Sequence, residues 1–183
     1  MSPPRDKSVH WLWAPHERLL SSWAPFQSVS IADSFRLATV EPAQVNAFIE
    51  FENSVRSRRV GAPLIEHLQC FGRHLAFVYL SGQKVVGIQR FRLYHEFDPG
   101  YRTLLNAYFH IDPTFQSRGL GATFLRVATR YFQEQGGVDA VASEAWPENE
   151  ASVRSTLNAG FELSQRLPNG KSVFMKPLGK AGT

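Results

Sequence analysis

One stretch, residues 104–136, constrains the fold of this chain more than any other; it reads LLNAYFHIDPTFQSRGLGATFLRVATRYFQEQG. Apolar and aromatic residues dominate 104–111, which predicts a buried strand. Pro113 ends the strand because proline cannot donate to a ladder. From Leu120 onward, apolar residues recur at the spacing of an amphipathic helix, and Gly136 supplies its end. The stretch therefore predicts a strand, a short loop and a long helix.

The loop of residues 116–121, QSRGLG, lies where the helix begins. A helix N-terminus presents unpaired N–H groups and a positive dipole end, which favour a bound anion such as phosphate. Gly119 and Gly121 have no Cβ, so a pyrophosphate could approach the backbone, and Arg118 adds a positive charge. The alternative is an ordinary strand–turn–helix unit whose glycines allow tight packing. The loop matches neither a Walker A motif nor the Rossmann glycine spacing.

Two motifs resemble the GNAT N-acetyltransferases. Gln116-x-x-Gly119-x-Gly121, between Ile111-Asp112-Pro113 and an amphipathic helix, is similar to the acyl-CoA signature of that family. Residues 149–161, NEASVRSTLNAGF, resemble its second CoA-contacting segment. The resemblance covers residues 35–178. It implies a mixed α/β (α+β) fold: a central, twisted, mostly antiparallel sheet with a splayed parallel pair and helices on both faces.

The resemblance also implies an activity and a coenzyme site. The activity is transfer of an acetyl group from acetyl-CoA to a primary amine, directly and within a ternary complex. Backbone N–H groups of the loop would hold the pyrophosphate, and the last residues of the strand would pair with the pantetheine. The implied residues are Phe109, Ile111, Gln116, Ser117, Arg118, Gly119, Leu120, Gly121, Ala122, Asn149, Ser152 and Arg154. Asn149 is also suited to cap the following helix.

Catalysis is less well defined by the resemblance. The N–H of Phe109 or Ile111 would bond the thioester carbonyl and stabilise the oxyanion. Where many members carry a tyrosine, this chain has Thr156, a poor proton donor for a thiolate, and the adjacent Ser155 is expected to face elsewhere. Another group replaces it, water assists the leaving thiolate, or the protein is catalytically weak. The last option gives the alternative function, an acyl-CoA-binding regulatory domain.

Some members carry a glutamate early on the central strand as the general base, but in this chain that position is Leu105. The remaining candidates are Glu144, Tyr108, His110, His95 and Glu96. Glu144 is preferred, because a carboxylate at the end of the splayed neighbouring strand could accept an amine proton through water. His110 titrates near neutrality, but strand alternation places it on the opposite face from Phe109 and Ile111.

Composition narrows the remaining possibilities. A chain of 183 residues suggests one domain, and no apolar run is long enough to span a membrane. The single Cys70 allows no internal disulfide and fits a reducing cytoplasm; its apolar neighbours predict a buried filler rather than a catalytic thiol. The net charge is +4, but the arginines are scattered, so nucleic-acid binding is not favoured. No His/Cys cluster has metal-ligand spacing, so no metal is expected.

The chain divides into a Trp-rich N-terminal extension (1–33), an acyltransferase domain (34–178) and a short tail (179–183). The extension carries Trp11, Trp13 and Trp23, with Pro15 and Pro25 as breakers. It packs over the surface of the domain, covers the acceptor site as a lid, or forms a dimer contact. The acceptor is a small-molecule amine or a protein amine, with an aminoacyl-tRNA also open, and a homodimer is possible.

The remaining elements follow from local patterns. We expect strands at 35–40, 74–80, 84–94, 138–144, 161–165 and 172–176, and helices from 42 to 52, 63 to 71 (less regular) and 149 to 159. In the family the early helices flank the acceptor entrance. Their charged residues are therefore candidates for substrate contact, with a solvated helix face as the alternative: Glu50, Glu52, Arg56, Arg58 and Arg59.

Overall fold

The computed structural model describes residues 10–32, 34–55, 59–94 and 101–179, with side chains from residue 14 onward except Ala32. In these ranges the helices are α1 (His10–Leu20), α2 (Val45–Val55), α3 (Ala62–Leu75), α4 (Leu120–Gln135) and α5 (Glu150–Asn158). The strands are β1 (Val29–Ala32), β2 (Phe35–Thr39), β3 (Ala76–Ser81), β4 (Lys84–Tyr94), β5 (Leu104–Ile111), β6 (Ala140–Ala145), β7 (Glu162–Arg166) and β8 (Ser172–Pro177).

The eight strands form one sheet in the order β1-β2-β3-β4-β5-β6-β8-β7. Neighbouring strands are antiparallel throughout, except that β5 and β6 run parallel. This parallel pair arises because the chain leaves β5, crosses over through α4 and returns in β6, the connection that a parallel neighbour requires. The predicted mixed α/β fold, a mostly antiparallel sheet with one parallel pair, is therefore confirmed.

The sheet opens between β5 and β6. Their register runs from Leu104 beside Ala140 to Ala107 beside Ser143. Beyond Ala107, β5 continues to Ile111 while it stays paired with β4 on its other side. These last four residues of β5 present a strand edge to which an extended partner can add. We call this opening the β5–β6 gap.

Helices cover both faces of the sheet. On one face α4 buries an aromatic cluster in which the rings of Phe91 and Phe132 meet edge to face at 4.6 Å. On the other face Phe48 of α2 packs with Val78 and Ile88. Strand alternation sends successive side chains to opposite faces, which is how β3 places Phe77 in the first cluster and Val78 in the second.

The described part of the N-terminal extension packs on the protein itself. Trp23 is 7% exposed and its indole ring lies 5.6 Å from the Phe132 ring and 5.7 Å from the Tyr131 ring. For Trp23 the packing interpretation is confirmed, while the side chains of Trp11 and Trp13 lie outside the described residues. Pro15 was expected to interrupt regular secondary structure, but it lies inside α1.

Several sequence-based boundaries were wrong by a few residues. Helix α3 is regular and extends to Leu75, because Phe71 and Leu75 join the aromatic cluster on the α4 face. The following strand therefore begins at Ala76 and not at His74. Strand β1, which was not predicted, pairs with β2 at the sheet edge. Cys70 was expected to be buried, yet it is exposed on α3.

Candidate functional site

The turn between β5 and α4 is fixed by side-chain hydrogen bonds. The Asp112 carboxylate accepts from the Thr114 hydroxyl at 2.7 Å and from the Thr114 backbone N–H at 2.9 Å. These two bonds, the hydroxyl bond foremost, hold the pKa of Asp112 below its usual value. The Gln116 side-chain amide donates to the Ile111 carbonyl at 2.9 Å. Gln116 thereby ties the loop to the last residue of β5.

Two residues with positive φ turn the chain into α4. Ser117 has a φ of 62° and Gly119 a φ of 73°, a region in which glycine is unstrained and another residue costs about 1 kcal/mol. The first backbone bond of α4 runs from the Thr123 N–H to the Gly119 carbonyl at 3.1 Å. The N–H groups of residues 120–122 precede this bond, so they are the free donors that make a helix N-terminus an anion site.

Gly121 is required by the packing of α4 against α5. A Cβ at this position would lie 2.9 Å from Ser155 Oγ, 3.1 Å from Ser155 Cβ and 3.4 Å from the Phe109 ring. At Gly119 a Cβ would meet nothing within 4 Å. Tight packing, the alternative explanation for the glycines, therefore holds at Gly121, while Gly119 serves the backbone turn.

Helix α5 begins beside the same turn. The Asn149 side chain accepts from the Ser152 backbone N–H at 3.1 Å, so the predicted N-cap is present. At its other end the Asn158 carbonyl accepts from the Arg126 guanidinium of α4 at 2.9 Å. The Arg126 bond and the close approach at Gly121 pack the first half of α4 against the second half of α5.

A cavity of about 390 Å³ lies between these two helices and the end of β5. The predicted coenzyme residues that line it are Phe109, Ile111, Gln116, Ser117, Gly119, Leu120, Gly121, Ala122, Asn149, Ser152 and Arg154. The other lining residues are His110, Phe115, Ala151, Ser155 and Asn158. Arg118 is not in the lining; its guanidinium lies 5.4 Å over the Phe115 ring. The structure thus brings together residues far apart in the sequence.

Ser155 and Thr156 are oriented in the opposite way to that expected. The Thr156 side chain is 0% exposed, and it is absent from the cavity lining, whereas Ser155 lines the cavity. The expectation that Ser155 faces elsewhere was wrong. The helical period contained the signal, because Ser155 follows Ala151 by four residues and Ser152 by three, and all three share one face of α5.

Glu144, the preferred base, lies across the β5–β6 gap and is held by three side chains. Its Oε1 accepts from the Tyr94 hydroxyl at 3.0 Å and from the Asn106 amide at 3.3 Å. Its Oε2 accepts from the Lys171 ammonium at 3.3 Å, and the Glu144 side chain is 19% exposed. Glu144 follows Ser143, the last residue of β6 in register with β5, so its carboxylate stands where the gap begins.

Tyr108 and His110 lie on the sheet face that α2 covers. The Arg90 guanidinium sits 4.6 Å over the Tyr108 ring, and the His110 ring is 6.3 Å from that of Phe51 on α2. Phe109 packs on the α4 side. The predicted alternation along β5 is therefore confirmed. Whether either side chain acts as a base stays a prediction.

Helices α2 and α3 each bury an ionisable side chain. Glu52 of α2 is 0% exposed, and its carboxylate lies 3.9 Å from Arg90. A solvated helix face is therefore wrong for Glu52, although it fits Glu50, which is exposed on α2; Arg59 is also exposed but lies between α2 and α3. On α3, burial foremost, and then the charges of His16, Arg90 and Arg92, lower the pKa of His67 to about 3.

Some predicted residues lie outside the described residues: His95, Glu96, Arg56 and Arg58. Among the residues that the structure does describe, no group of three or more His, Cys, Asp or Glu side chains could hold a metal ion. Across the same described ranges, no helix is both long and apolar enough to cross a membrane.

The sequence of residues 26–162 matches the family described as an acetyltransferase (GNAT) domain. Because this match spans most of the chain, the protein belongs to the GNAT acetyltransferase family. No curated protein matches the chain in sequence.

Solved structures of this family share the fold at low sequence identity. The yncA protein of Salmonella typhimurium, solved with its cofactor acetyl-CoA, is 18% identical with a TM-score of 0.69, covering 82% of this chain and 98% of its own. RimL, a ribosomal L7/L12 alpha-N-protein acetyltransferase in complex with coenzyme A, is 13% identical with a TM-score of 0.65, covering 85% and 100%. AAC(6')-Ib, in complex with paromomycin and acetyl-CoA, is 18% identical with a TM-score of 0.58, covering 78% and 92%.

Proposed function

We propose that this protein is an N-acetyltransferase that moves an acetyl group from acetyl-CoA to a primary amine by direct transfer. The observation that carries the proposal is the continuity of the site. One cavity joins the N-termini of α4 and α5 to the end of β5, and a carboxylate stands across the β5–β6 gap from it. A phosphate-bearing thioester and an amine can therefore meet at the gap from opposite sides of the sheet.

The coenzyme contacts are proposed from the cavity lining. The N–H groups of residues 117–122 bind the pyrophosphate, since the turn and the α4 dipole favour negative charge. Arg154 and Arg118 add positive charge at the rim. The edge of β5 at residues 109–111 pairs with the pantetheine arm, which enters the gap as an added strand. Asn149 and Ser152 contact the arm from α5.

The transfer needs an oxyanion donor and a base. The N–H of Phe109 or Ile111 donates to the thioester carbonyl and stabilises the tetrahedral intermediate. Glu144 accepts the amine proton, directly or through one water, because its carboxylate faces the start of the gap. Much of the rate comes from holding both reactants in place, without a covalent enzyme intermediate.

Proton delivery to the departing thiolate cannot involve the Thr156 side chain in this conformation, because Thr156 is buried and lies outside the cavity lining. Ser155, whose hydroxyl lines the cavity, and water are the donors that we propose in its place.

The buried Thr156 also supports a second candidate, a domain that binds acyl-CoA but does not turn it over. Both functions require coenzyme binding, and they differ in whether thiol is released when an amine is supplied. The acceptor class is proposed as an amine on a small molecule or a protein, in line with the names of RimL and of AAC(6')-Ib in complex with paromomycin.

The test is a calorimetric titration of acetyl-CoA into the wild type and two variants of α5. Ser152→Glu places a carboxylate in the cavity at the third position of the helix, where glutamate suits the helix and its dipole. Leu157→Glu adds the same charge on the same helix at a side chain that is 46% exposed and outside the cavity lining. We expect Ser152→Glu to abolish binding and Leu157→Glu to retain it.

Thiol release with a panel of primary amines then separates the two candidates. Release that depends on the amine supports the transferase. Tight binding with no release across the panel supports the regulatory domain. An absence of acetyl-CoA binding by the folded wild type contradicts both functions.

A further inference from the structure

Lys171 is the residue whose surroundings the proposed function leaves unexplained. It lies between the β7–β8 turn and β8, and its backbone is held on both sides: its N–H donates to the Asn169 side chain at 3.1 Å, and its carbonyl accepts from the Leu167 N–H at 2.8 Å. The lysine side chain therefore starts from a fixed point beside β6.

The Lys171 ammonium occupies a pocket of complementary chemistry. Its Nζ donates to Glu144 Oε2 at 3.3 Å and lies 5.6 Å from the centroid of the Trp146 ring. A carboxylate and an aromatic face are the two groups that best hold an ammonium. Trp146 is 48% exposed although it follows directly after β6. A primary amine thus already sits against the carboxylate that we assign as the base.

This amine is also close to where the thioester is proposed to enter. Ser143 and Ala107 are the last residues of β6 and β5 in register, and Glu144 is the next residue of β6. Glu144 Oε1 accepts from Asn106, which neighbours Ala107 on β5. Lys171 is therefore separated from the start of the β5–β6 gap by a single side chain.

We propose that Lys171 is a self-acetylation site, an acceptor within the chain that competes with the external amine; this inference rests on the proposed function. The Lys171 ammonium gives a proton to Glu144, which passes it to water. The freed nitrogen pair attacks the thioester carbonyl carbon and forms the N–C bond. The nitrogen of the tetrahedral intermediate then gives up a second proton, the C–S bond breaks, and the coenzyme sulfur leaves as a thiolate that takes up that proton. The products are Nε-acetyl-Lys171, which is neutral, and free coenzyme A.

Lys84 provides an internal control for chemical acetylation. Its side chain is 67% exposed, against 31% for Lys171, and its Nζ lies 3.9 Å from the Asp112 carboxylate. Lys84 is the first residue of β4, which pairs with β5 on the side away from β6, so β5 lies between Lys84 and the β5–β6 gap. Uncatalysed acetylation favours the more exposed amine, and hence Lys84; acetylation by the site favours Lys171.

The experiment incubates full-length protein with acetyl-CoA and no added amine, and follows the peptides containing Lys171 and Lys84 by mass spectrometry. We expect a 42 Da increase on Lys171 at a rate at least about tenfold above Lys84, because a held amine reacts as an intramolecular one. Thiol release should stop at one equivalent per protein. Glu144→Gln should abolish the preference for Lys171 over Lys84. Glu144→Asp is a second variant, and it retains the negative charge.

Lys171→Arg keeps the positive charge beside Glu144 and should lose the one-equivalent release of thiol. Equal labelling of both lysines would indicate uncatalysed chemical acetylation and would overturn the inference. A preference for Lys171 that survives in folded Glu144→Gln would overturn it as well. Thiol release with an added amine while Lys171 stays unmodified overturns it and leaves the proposed function intact. Failure of the wild type to bind acetyl-CoA by calorimetry overturns the proposed function together with this inference.

Discussion

The two sides of the β5–β6 gap are assembled in different ways. On the side of α4 and α5, the cavity is built largely from two continuous runs of sequence, the end of β5 with the following turn and the start of α5. On the other side, Glu144 is held by Tyr94 of β4, Asn106 of β5 and Lys171 before β8, three residues from separate parts of the chain. The first side works mainly through backbone groups, and the second through side chains.

This difference explains why the side of α4 and α5 could be predicted from the sequence. Backbone donors need a particular chain path, and the path demands glycine at a positive φ or at a close helix contact, which leaves a local pattern. Side chains gathered by the tertiary fold leave no such spacing. Substitutions on the side of Glu144 can therefore leave the glycine motif intact, and the arrangement of that side follows only from the tertiary structure.

The largest effect is expected from Glu144→Gln on turnover. Loss of a general base should lower kcat by roughly 100- to 10,000-fold with an amine identified in the panel. Coenzyme affinity should stay near that of the wild type, since Glu144 lies outside the cavity lining. Steady-state kinetics and calorimetry on the same preparation measure the two effects.

Tyr108→Phe and His110→Gln are the matched controls for that assignment. Both residues share a face of β5 with Asn106, which donates to Glu144, so the two variants test the alternative bases on that face; we expect each to change kcat far less than Glu144→Gln does. A larger loss of kcat in His110→Gln than in Glu144→Gln would assign the role of general base to His110.

Gly121→Ala should act on the other side of the gap, through packing. Alanine usually stabilises a helix by about 1 kcal/mol over glycine, but here its Cβ would press on Ser155, and overpacking costs about 1–3 kcal/mol. We expect a net loss of free energy of unfolding and weaker coenzyme binding, measured by urea denaturation and calorimetry.

The two glycines of the turn allow a decisive control. Combining Gly121→Ala with Ser155→Ala should recover part of the lost stability, because the nearest atom is removed; a double-mutant cycle gives the coupling. Gly119→Ala should lose about 1 kcal/mol through its positive φ, with no coupling to Ser155. Additive effects at Gly121 and Ser155 would show that the helix contact is not what constrains Gly121.

A smaller effect is the pH dependence set by His67 of α3. Burial, and then His16, Arg90 and Arg92, lower its pKa from 6.5 to about 3. The unfolded chain therefore binds more protons between these values, so stability is complete above about pH 6.5 and declines toward pH 3. The decline is at most ~1.4 kcal/mol per pH unit from this group.

Urea denaturation of the wild type and His67→Phe at several pH values tests this. The variant should flatten the dependence only in part, because burial and the Arg73 charge also lower the pKa of His74. Identical pH profiles for the two proteins would remove His67 as a source of acid sensitivity.

Much of the fold could be predicted from particular residues. Alternating and continuous apolar runs marked β4 and β5, the proline after Asp112 ended β5, and Gly136 ended α4 close to the observed boundary. Asn149 was expected as an N-cap and is one. Each of these signals is local, since it depends on residues within one or two turns of each other.

The errors share the opposite property, because they depend on tertiary contacts. Glu52 is buried beside Arg90, which lies on a strand nearly forty residues away. Cys70 has apolar neighbours in sequence but lies on the exposed side of α3. Pro15 is accommodated within α1. Ser155 is the exception, since the period of α5 alone could have placed it beside Ser152 on the cavity face.

The contact between Gly121 and Ser155 has a consequence for the thermodynamics of recognition. Because Gly121 has no side chain, the first turn of α4 packs directly on Ser155 of α5, and the spacing of the two helices is set by protein atoms before any ligand arrives. Such a cradle is preorganised, so association should cost little ordering entropy within α4 and α5. The affinity of the site for its anionic partner is thus determined when the chain folds.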